Sequence, residues 1–480
     1  MNDSQWFETG TAKLKRGDYS GAAQDFQNEL LKNPKNSMAW NNRGICLLRL
    51  GHPFDARIHL DKAVELSPNA VEFKNNRGVC SFELGLYDEA IRFYEGTVEL
   101  SPNHPDAHLN LGNTYRLMGK SDKALEHYRK SAGSKPDYPM GHLCYSAALL
   151  EAGMYEEGWK EFEWRWQSGQ LIPRGLPVPP WDGEDLTNKK LLIYFEQGFG
   201  DVLQFIRYAP LVKKLYGGTI YVEVRQPLKR LVETVEGIDK VFVFGDKLPE
   251  LDYVIPMLSL PRILKTTMDT IPVKDKWFNI EPYRVELWKQ RLKALPPGLK
   301  VGICWAGMSR PDQPEADAID RRRSTTLESF APAALVPGVS WVSLQKGPQR
   351  SQIEIPPKGM TIGDWMDDAD DFYDTAALIE ALDLVITVDT AVVHLAASLG
   401  KPTWLLSRFD SCWRWLGSRV DSPWYPSLRH YRQEKPGDWK PVMHKVADDL
   451  RDFVTKEANN GPVPTGHYNW DDFAGSSGPS

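Results

Sequence analysis

From residue 5 to about residue 160 the apolar positions fall at helical spacing in short segments, broken by Gly and Pro at fixed intervals. Trp40, Gly44, Gly51, Ala56, Ala63 and Pro68 recur 34 residues on as Lys74, Gly78, Gly85, Ala90, Thr97 and Pro102. They recur again as His108, Gly112, Gly119, Ala124, Ser131 and Pro136, and 34 residues upstream as Trp6, Gly10, Gly17, Ala22, Glu29 and Pro34. Small residues let two helices of a hairpin approach, the mid-repeat Gly permits the turn, and Pro ends the second helix. A fifth, degenerate copy begins near Gly141 and keeps Gly153, Tyr155 and Phe162. After Lys190 the texture changes to short apolar runs alternating with amphipathic stretches, the pattern of a parallel sheet wrapped by helices. Strands are predicted at Leu191–Phe195, Thr219–Val224, Lys240–Phe244 and Asp252–Pro256, with an amphipathic segment over Val202–Leu215. A second series is predicted at Lys300–Trp305, Ser340–Leu344, Leu384–Val388 and Pro402–Leu406, where it ends. Between the two, a helix over Tyr283–Leu295 leads into the hinge Pro296-Pro297-Gly298.

The period and its residues resemble the tetratricopeptide repeat, whose stacked units form a solenoid with a concave groove. Asn42, Asn76 and Asn110 occupy one slot on three successive first helices, which line the concave face in that family. A ladder of carboxamides offers both donors and acceptors to an extended peptide, although Asn is also common at this slot in such repeats generally. Trp164 and Trp166 close the repeat region and are expected to cover the last unit. The prolines from Pro173 to Pro180 then impose an extended path.

Net charge is −6, which argues against a general nucleic-acid or membrane-surface binder. The five cysteines are scattered with no C-x-x-C pair, as expected of reduced thiols in a cytosolic protein. The start, Met1-Asn-Asp-Ser-Gln-Trp, predicts no signal peptide. The apolar stretch Leu384–Leu406 is interrupted by Asp389, His394, Lys401 and Pro402, so it reads as strand–helix–strand and not as a bilayer span.

Two motifs carry candidate chemistry. Glu196-Gln-Gly-Phe-Gly-Asp201 stands at a strand end and a helix start, where Gly198 and Gly200 let backbone approach a ligand and Asp201 either caps the helix or faces the ligand. Val388-Asp-Thr-Ala-Val-Val-His-Leu-Ala-Ala-Ser-Leu-Gly-Lys-Pro402 ends a buried strand at Asp389, lets Thr390 cap, and starts a small-residue helix whose first amides suit a pyrophosphate. His394, one turn on, is a packing histidine or a phosphate contact. Trp413, Arg414, Trp415, Trp424 and Tyr425 follow the last strand and either wall a ligand or pack a long loop. The run Asp367-Asp-Ala-Asp-Asp371 reads as a helix-N-terminal acidic patch, with Asp374 beginning the helix, in preference to a metal site. Residues Met308–Ile319 read as a long acidic loop before the basic triplet Arg321–Arg323.

Together the two motifs resemble heptosyltransferase-like glycosyltransferases. The chain as a whole resembles bacterial tetratricopeptide proteins fused to such a domain, over roughly residues 5–455, including Phe162-Glu-Trp-Arg-Trp166, Trp181-Asp-Gly-Glu184, Ser343-Leu-Gln-Lys-Gly347, Arg414-Trp415 and Pro423-Trp-Tyr425. It is similar in plan to protein O-linked N-acetylglucosamine transferases. The resemblance implies an α-helical tetratricopeptide solenoid followed by an α/β GT-B architecture of two Rossmann-like lobes. The expected divisions are repeats over 1–168, a proline-rich linker over 169–188, an acceptor-side lobe over 189–285, a nucleotide-sugar lobe over 286–457 and a disordered tail over 458–480. It also implies that Asp201 is the catalytic base of an inverting transfer, with Gln197, Gly198, Gly200, Trp413 and Arg414 near it. The donor diphosphate would be held by Asp389, Thr390, Ala391 and His394 and by the cations Arg323 and Lys346. No metal or cofactor is expected beyond the nucleotide-sugar co-substrate. The acceptor would be a hydroxyl of a protein recruited by Asn42, Asn76 and Asn110. The alternatives are a glycan or lipid-linked saccharide acceptor, or a non-catalytic scaffold with an inert transferase region.

Overall fold

The computed structural model describes residues 5–169, 171–309, 312–417 and 419–460. Most of the expected tail, 461–480, lies outside them. The described chain separates into two compact units: one holds the repeat helices up to Leu149 and residues from Glu161, the other holds Leu150–Lys160 and residues from Leu171 onward.

In the first unit the 34-residue pattern becomes paired helices: Gln5–Lys15 with Tyr19–Lys32, Ser37–Arg49 with Pro53–Leu66, Val71–Glu83 with Tyr87–Leu100, and Pro105–Leu117 with Ser121–Ser134, followed by the helix Pro139–Glu151 as far as Leu149. Each turn glycine from Gly17 to Gly119 has a positive φ of 71–82°, which an L side chain adopts only with strain. The first-helix glycines are required for close approach: a Cβ on Gly112 would stand 2.5 Å from the Tyr128 ring. In three of the repeats the first-helix position of Trp40 also fastens the unit to the preceding proline. Trp40 donates to the Pro34 carbonyl at 2.8 Å, and His108 and His142 reach the Pro102 and Pro136 carbonyls at 2.9 and 3.1 Å. Trp164 stacks on His142 with centroids 4.2 Å apart, the covering role expected of it.

The second unit contains two parallel sheets. The first has β1 (Lys190–Tyr194), β2 (Thr219–Val224), β3 (Lys240–Val243) and β4 (Tyr253–Pro256) in the order β3-β2-β1-β4. The second has β5 (Leu299–Cys304), β6 (Val339–Ser343), β7 (Ile362–Asp364), β8 (Leu384–Val388), β9 (Thr403–Ser407) and β10 (Leu428–Arg432) in the order β10-β9-β8-β5-β6-β7. Every pairing is parallel, so successive strands need crossovers and both faces are covered, which explains the near-continuous apolar runs. The core of the larger sheet is filled by Val301, Ile303, Trp341, Ile386, Trp404 and Leu406, closed by Val446 and Leu450 of the helix Lys440–Asn460.

Several expectations need correction. The six-stranded sheet does not end at Leu406: β10 follows, and β7 was not foreseen. The segment Met308–Ile319 is not all loop, because a helix runs from Pro314 to Arg323 and carries the basic triplet on its last turn. The segment Val202–Leu215 is two helices, Phe199–Phe205 and Tyr208–Tyr216.

Candidate functional site

In an open parallel sheet the ligand crevice lies beyond the carboxyl ends of strands whose neighbours' connections leave in opposite directions. Here those strands are β1, flanked by β2 and β4, and the pair β5 and β8. Both motifs singled out in the sequence follow them: Glu196–Asp201 follows β1, and Asp389–Ala391 follows β8.

The two turns meet. A Cβ on Gly200 would lie 2.8 Å from Cδ2 of His394 and 3.7 Å from Cα of Ala391, so the absence of a side chain lets the helix Phe199–Phe205 rest on the helix Ala391–Ser398. Asp201 takes the capping role that the sequence allowed and is held by an arginine as well. Its Oδ2 accepts from the Gly198 amide at 2.9 Å, capping its own helix, and its Oδ1 accepts from Nη2 of Arg414 at 2.5 Å. The Asp201 side chain is 18% exposed and that of Arg414 12%. Arg414 also donates to Oε1 of Gln204 at 2.8 Å and to Sγ of Cys412 at 3.1 Å. Burial alone would lower its pKa; Cys412 and Asp201 reverse the effect, and the net shift is upward. One guanidinium thus grips two residues a helical turn apart and fixes the carboxylate's direction. Gln197 is half-buried beside this turn, and Glu196 accepts from the Leu258 amide at 2.9 Å, tying the loop to the end of β4.

On the second sheet, Thr390 caps the helix as expected, its hydroxyl accepting from the Val392 amide at 3.3 Å, while the Val393 amide goes to its carbonyl at 3.2 Å. Arg323 reaches this turn: Nη1 donates to the Asp389 carbonyl at 2.8 Å, and Nη2 pairs with Asp320. Its Nε is buried without a partner. Gly307 makes room for it, since a Cβ there would stand 3.1 Å from Nε. Gln345, which sequence reasoning passed over, holds the ends of β5 and β6 together. Its Oε1 accepts from the amides of Trp305 and Ala306 at 3.1 and 2.9 Å, and its Nε2 donates to the carbonyls of Ala306 and Lys346 at 3.0 and 2.8 Å. Lys346 is exposed on the adjoining rim, with Nζ donating to the Ala369 carbonyl at 2.5 Å.

The structure specifies three readings that the sequence left open. His394 is 5% exposed; Nδ1 contacts the Tyr425 hydroxyl at 2.9 Å and the ring stacks on Trp415, so it packs the helix. Burial, then Arg414, Arg207 and Arg323, hold it neutral, well below the usual histidine range. Trp413, 8% exposed, packs edge-on to Trp159 at 5.4 Å beneath the Arg414 guanidinium. The ladder amides are partly committed: Asn76 donates to Asn41 at 2.9 Å, Asn110 to Asn75 at 3.2 Å, and Asn42 accepts from Asn41 at 3.1 Å.

Three of the four carboxylates in the acidic run, those of Asp367, Asp368 and Asp371, are paired with arginines. Arg350 takes Asp367 as well as Asp364, Arg291 takes Asp368 at 2.9 Å, and Arg230 takes Asp371 and Asp374 at 3.2 and 3.1 Å. Asp371, not Asp374, caps the helix Phe372–Glu380, accepting from the amides of Tyr373 and Asp374. Among the described residues no group of three His, Cys, Asp or Glu is arranged to hold a metal, and no helix is long and apolar enough to cross a membrane.

Residues 7–71 and 69–134 match tetratricopeptide repeat families. Residues 371–406, from the Asp371 cap through β8 and the Asp389 turn into β9, match glycosyltransferase family 9 (heptosyltransferase). Protein FlbA of Caulobacter vibrioides is 31% identical over 332 residues, 64% of this chain and 54% of that protein, so the chain spans about half the length of this relative. Among solved structures, MamA is 27% identical with a TM-score of 0.30, covering 34% of this chain and 94% of that one. YrrB, described as a TPR protein with an unusual peptide-binding site, is 28% identical with a TM-score of 0.27, covering 29% of this chain and 72% of that one.

Proposed function

We propose that this chain, tetratricopeptide repeats followed by a heptosyltransferase-like glycosyltransferase region, is an inverting GT-B enzyme that moves a sugar from a nucleotide-sugar to a hydroxyl of a protein held by the repeats. The observation that carries the proposal is the meeting of the Gly198–Asp201 and Asp389–Ala391 turns at the switch strands of two parallel sheets. In this reading the acceptor oxygen attacks the anomeric carbon from the Asp201 side. Its proton passes to the carboxylate, and the bond from the anomeric carbon to the phosphate oxygen breaks on the opposite face. Each Asp201 oxygen has one protein donor, and a carboxylate oxygen has a second acceptor direction for the hydroxyl. The charge that develops on the leaving nucleotide falls to the Asp389–Thr390–Ala391 turn, Arg323 and Lys346. Cations do the work that a metal does in other transferases, and Asp367, Asp368 and Asp371 of the acidic run are engaged by arginines. Reduced, unpaired cysteines suit a cytoplasmic enzyme.

Asp201→Asn keeps the size of the side chain and removes its capacity to accept a proton as a base. Turnover of a nucleotide-sugar should fall by about 10²-fold or more, while the nucleotide still raises the melting temperature. Full activity in this variant would refute the assignment. The family-9 match also favours a second acceptor, a glycan. Removing residues 1–138 separates the two: transfer to protein should fail if the repeats recruit it, whereas transfer to a small glycan should persist under the second reading.

A further inference from the structure

The last turn of the helix Pro314–Arg323 borders an open depression of about 640 Å³ that Arg323 and the Asp389 turn do not line. It lies at the carboxyl ends of β9 and β10. Arg321, Arg322 and Arg408 line it, with Gln433, Trp439 and a single carboxylate, Asp410. The last turn of the helix divides its arginines: Arg323 turns to the Asp389 carbonyl, while Arg322 pairs with Asp410 at 3.0 Å. Arg408 also contacts Asp410, at 3.4 Å, so one carboxylate is set against two guanidinium groups in the wall, while Arg321 pairs with Asp317.

Two donors in this wall have no partner. Gln433 is 2% exposed, and its Oε1 is fixed by the amides of Phe409 and Gly437 at 3.2 and 3.1 Å. That fixes its Nε2 as the open end, and Nε2 is buried and unpaired. Nη1 of Arg408 is likewise buried and unpaired. Buried polar groups are almost always satisfied, so two orphan donors in the wall of one depression call for an acceptor-rich occupant. Guanidinium groups favour oxyanions, and the volume is within the range of small-ligand sites and far larger than one phosphate ion needs.

We propose that this depression is a second ligand site, separate from the donor turn, which binds a phosphoryl group carried on a sugar, with Arg408, Arg322 and Gln433 Nε2 as donors and Trp439 as the apolar wall. The carrier is a free sugar phosphate or a nucleotide, and the probes distinguish the two. Glucose 1-phosphate, uridine monophosphate, inorganic phosphate and glucose are titrated into the full chain by calorimetry. Glucose 1-phosphate should bind, inorganic phosphate more weakly, and glucose not at all. If the site serves nucleotides, uridine monophosphate should compete with glucose 1-phosphate there.

Gln433→Glu keeps the acceptor for Phe409 and Gly437 and replaces the orphan donor with a carboxylate oxygen. It should weaken glucose 1-phosphate at least tenfold while the protein still unfolds cooperatively, as should Arg408→Met, which also takes one partner from Asp410 and so lowers the unfolding midpoint. Arg323→Met, at the donor turn, should leave that binding unchanged. The proposal is overturned if no phosphate compound binds, or if glucose 1-phosphate binding survives both Gln433→Glu and Arg408→Met.

Discussion

Gly200→Ala tests the close contact between the two turns. A methyl group at Gly200 would stand 2.8 Å from Cδ2 of His394, whereas carbon atoms pack best at about 3.5–4.0 Å. The ring cannot easily yield, because Nδ1 is on Tyr425 and the face is on Trp415. The helix must therefore move by roughly 1 Å, and overpacking of this kind costs about 1–3 kcal/mol. Alanine is the better helix former by about 0.5–1 kcal/mol, so the net loss should be about 1–2 kcal/mol. The sign should reverse once the ring is gone: in a His394→Ala background only the helix-forming gain remains, and Gly200→Ala should stabilise by up to about 1 kcal/mol. The assay is urea unfolding followed by tryptophan fluorescence, which reports the second unit through Trp305, Trp341, Trp404 and Trp415, all buried there. Equal changes in the two backgrounds would refute the contact. Because the displaced helix carries Asp201, transfer should also slow, by about 10²-fold for a 1 Å misplacement.

Further outcomes follow from the same geometry. Burial, then Arg432, pushes His430 down to about 3, and His394 is also held low. An unfolded histidine titrates near about 6.5, so both contribute full stability above that pH and progressively less as pH falls below it. The urea midpoint should therefore drop between pH 7 and 5, with a shallower slope in His430→Gln; an identical slope would contradict this. Gln345→Leu strands the buried amides of Trp305 and Ala306, at about 1–3 kcal/mol each, measurable in the same unfolding assay. Arg414→Lys cannot hold Asp201, Gln204 and Cys412 at once, so the turnover number should fall by about tenfold or more while the donor's thermal shift stays. Asn76→Ala removes one inter-repeat hydrogen bond and should lower the stability of the repeats by about 0.5–1.5 kcal/mol, read from helical circular dichroism.

The repeats were legible because a 34-residue recurrence of Gly, Ala and Pro has one physical solution, and the structure follows it helix by helix. The central strands β1, β5, β8 and β9 announced themselves as apolar runs because both of their faces are buried. The unforeseen strands β7 and β10 are the two edges of the larger sheet. Ile362-Gly-Asp is short, and Leu428-Arg-His-Tyr-Arg carries charge, as edges do, so neither has the apolar signature. The helix Pro314–Arg323 did have a signal, proline at its first turn. Asp201 and the Asp389 turn stood out by local pattern. The grip of Arg414 on Asp201 spans 213 residues and leaves no local trace, and a buried amide such as Gln345 looks in sequence like any polar loop residue.

The asparagine rungs have a polarity of their own. At Asn76 and Asn110 one of the two amide hydrogens is spent on the neighbouring repeat, so each rung keeps one hydrogen and a whole carbonyl oxygen. The solenoid's internal stitching thus halves the donating capacity of these two rungs and leaves their accepting capacity untouched.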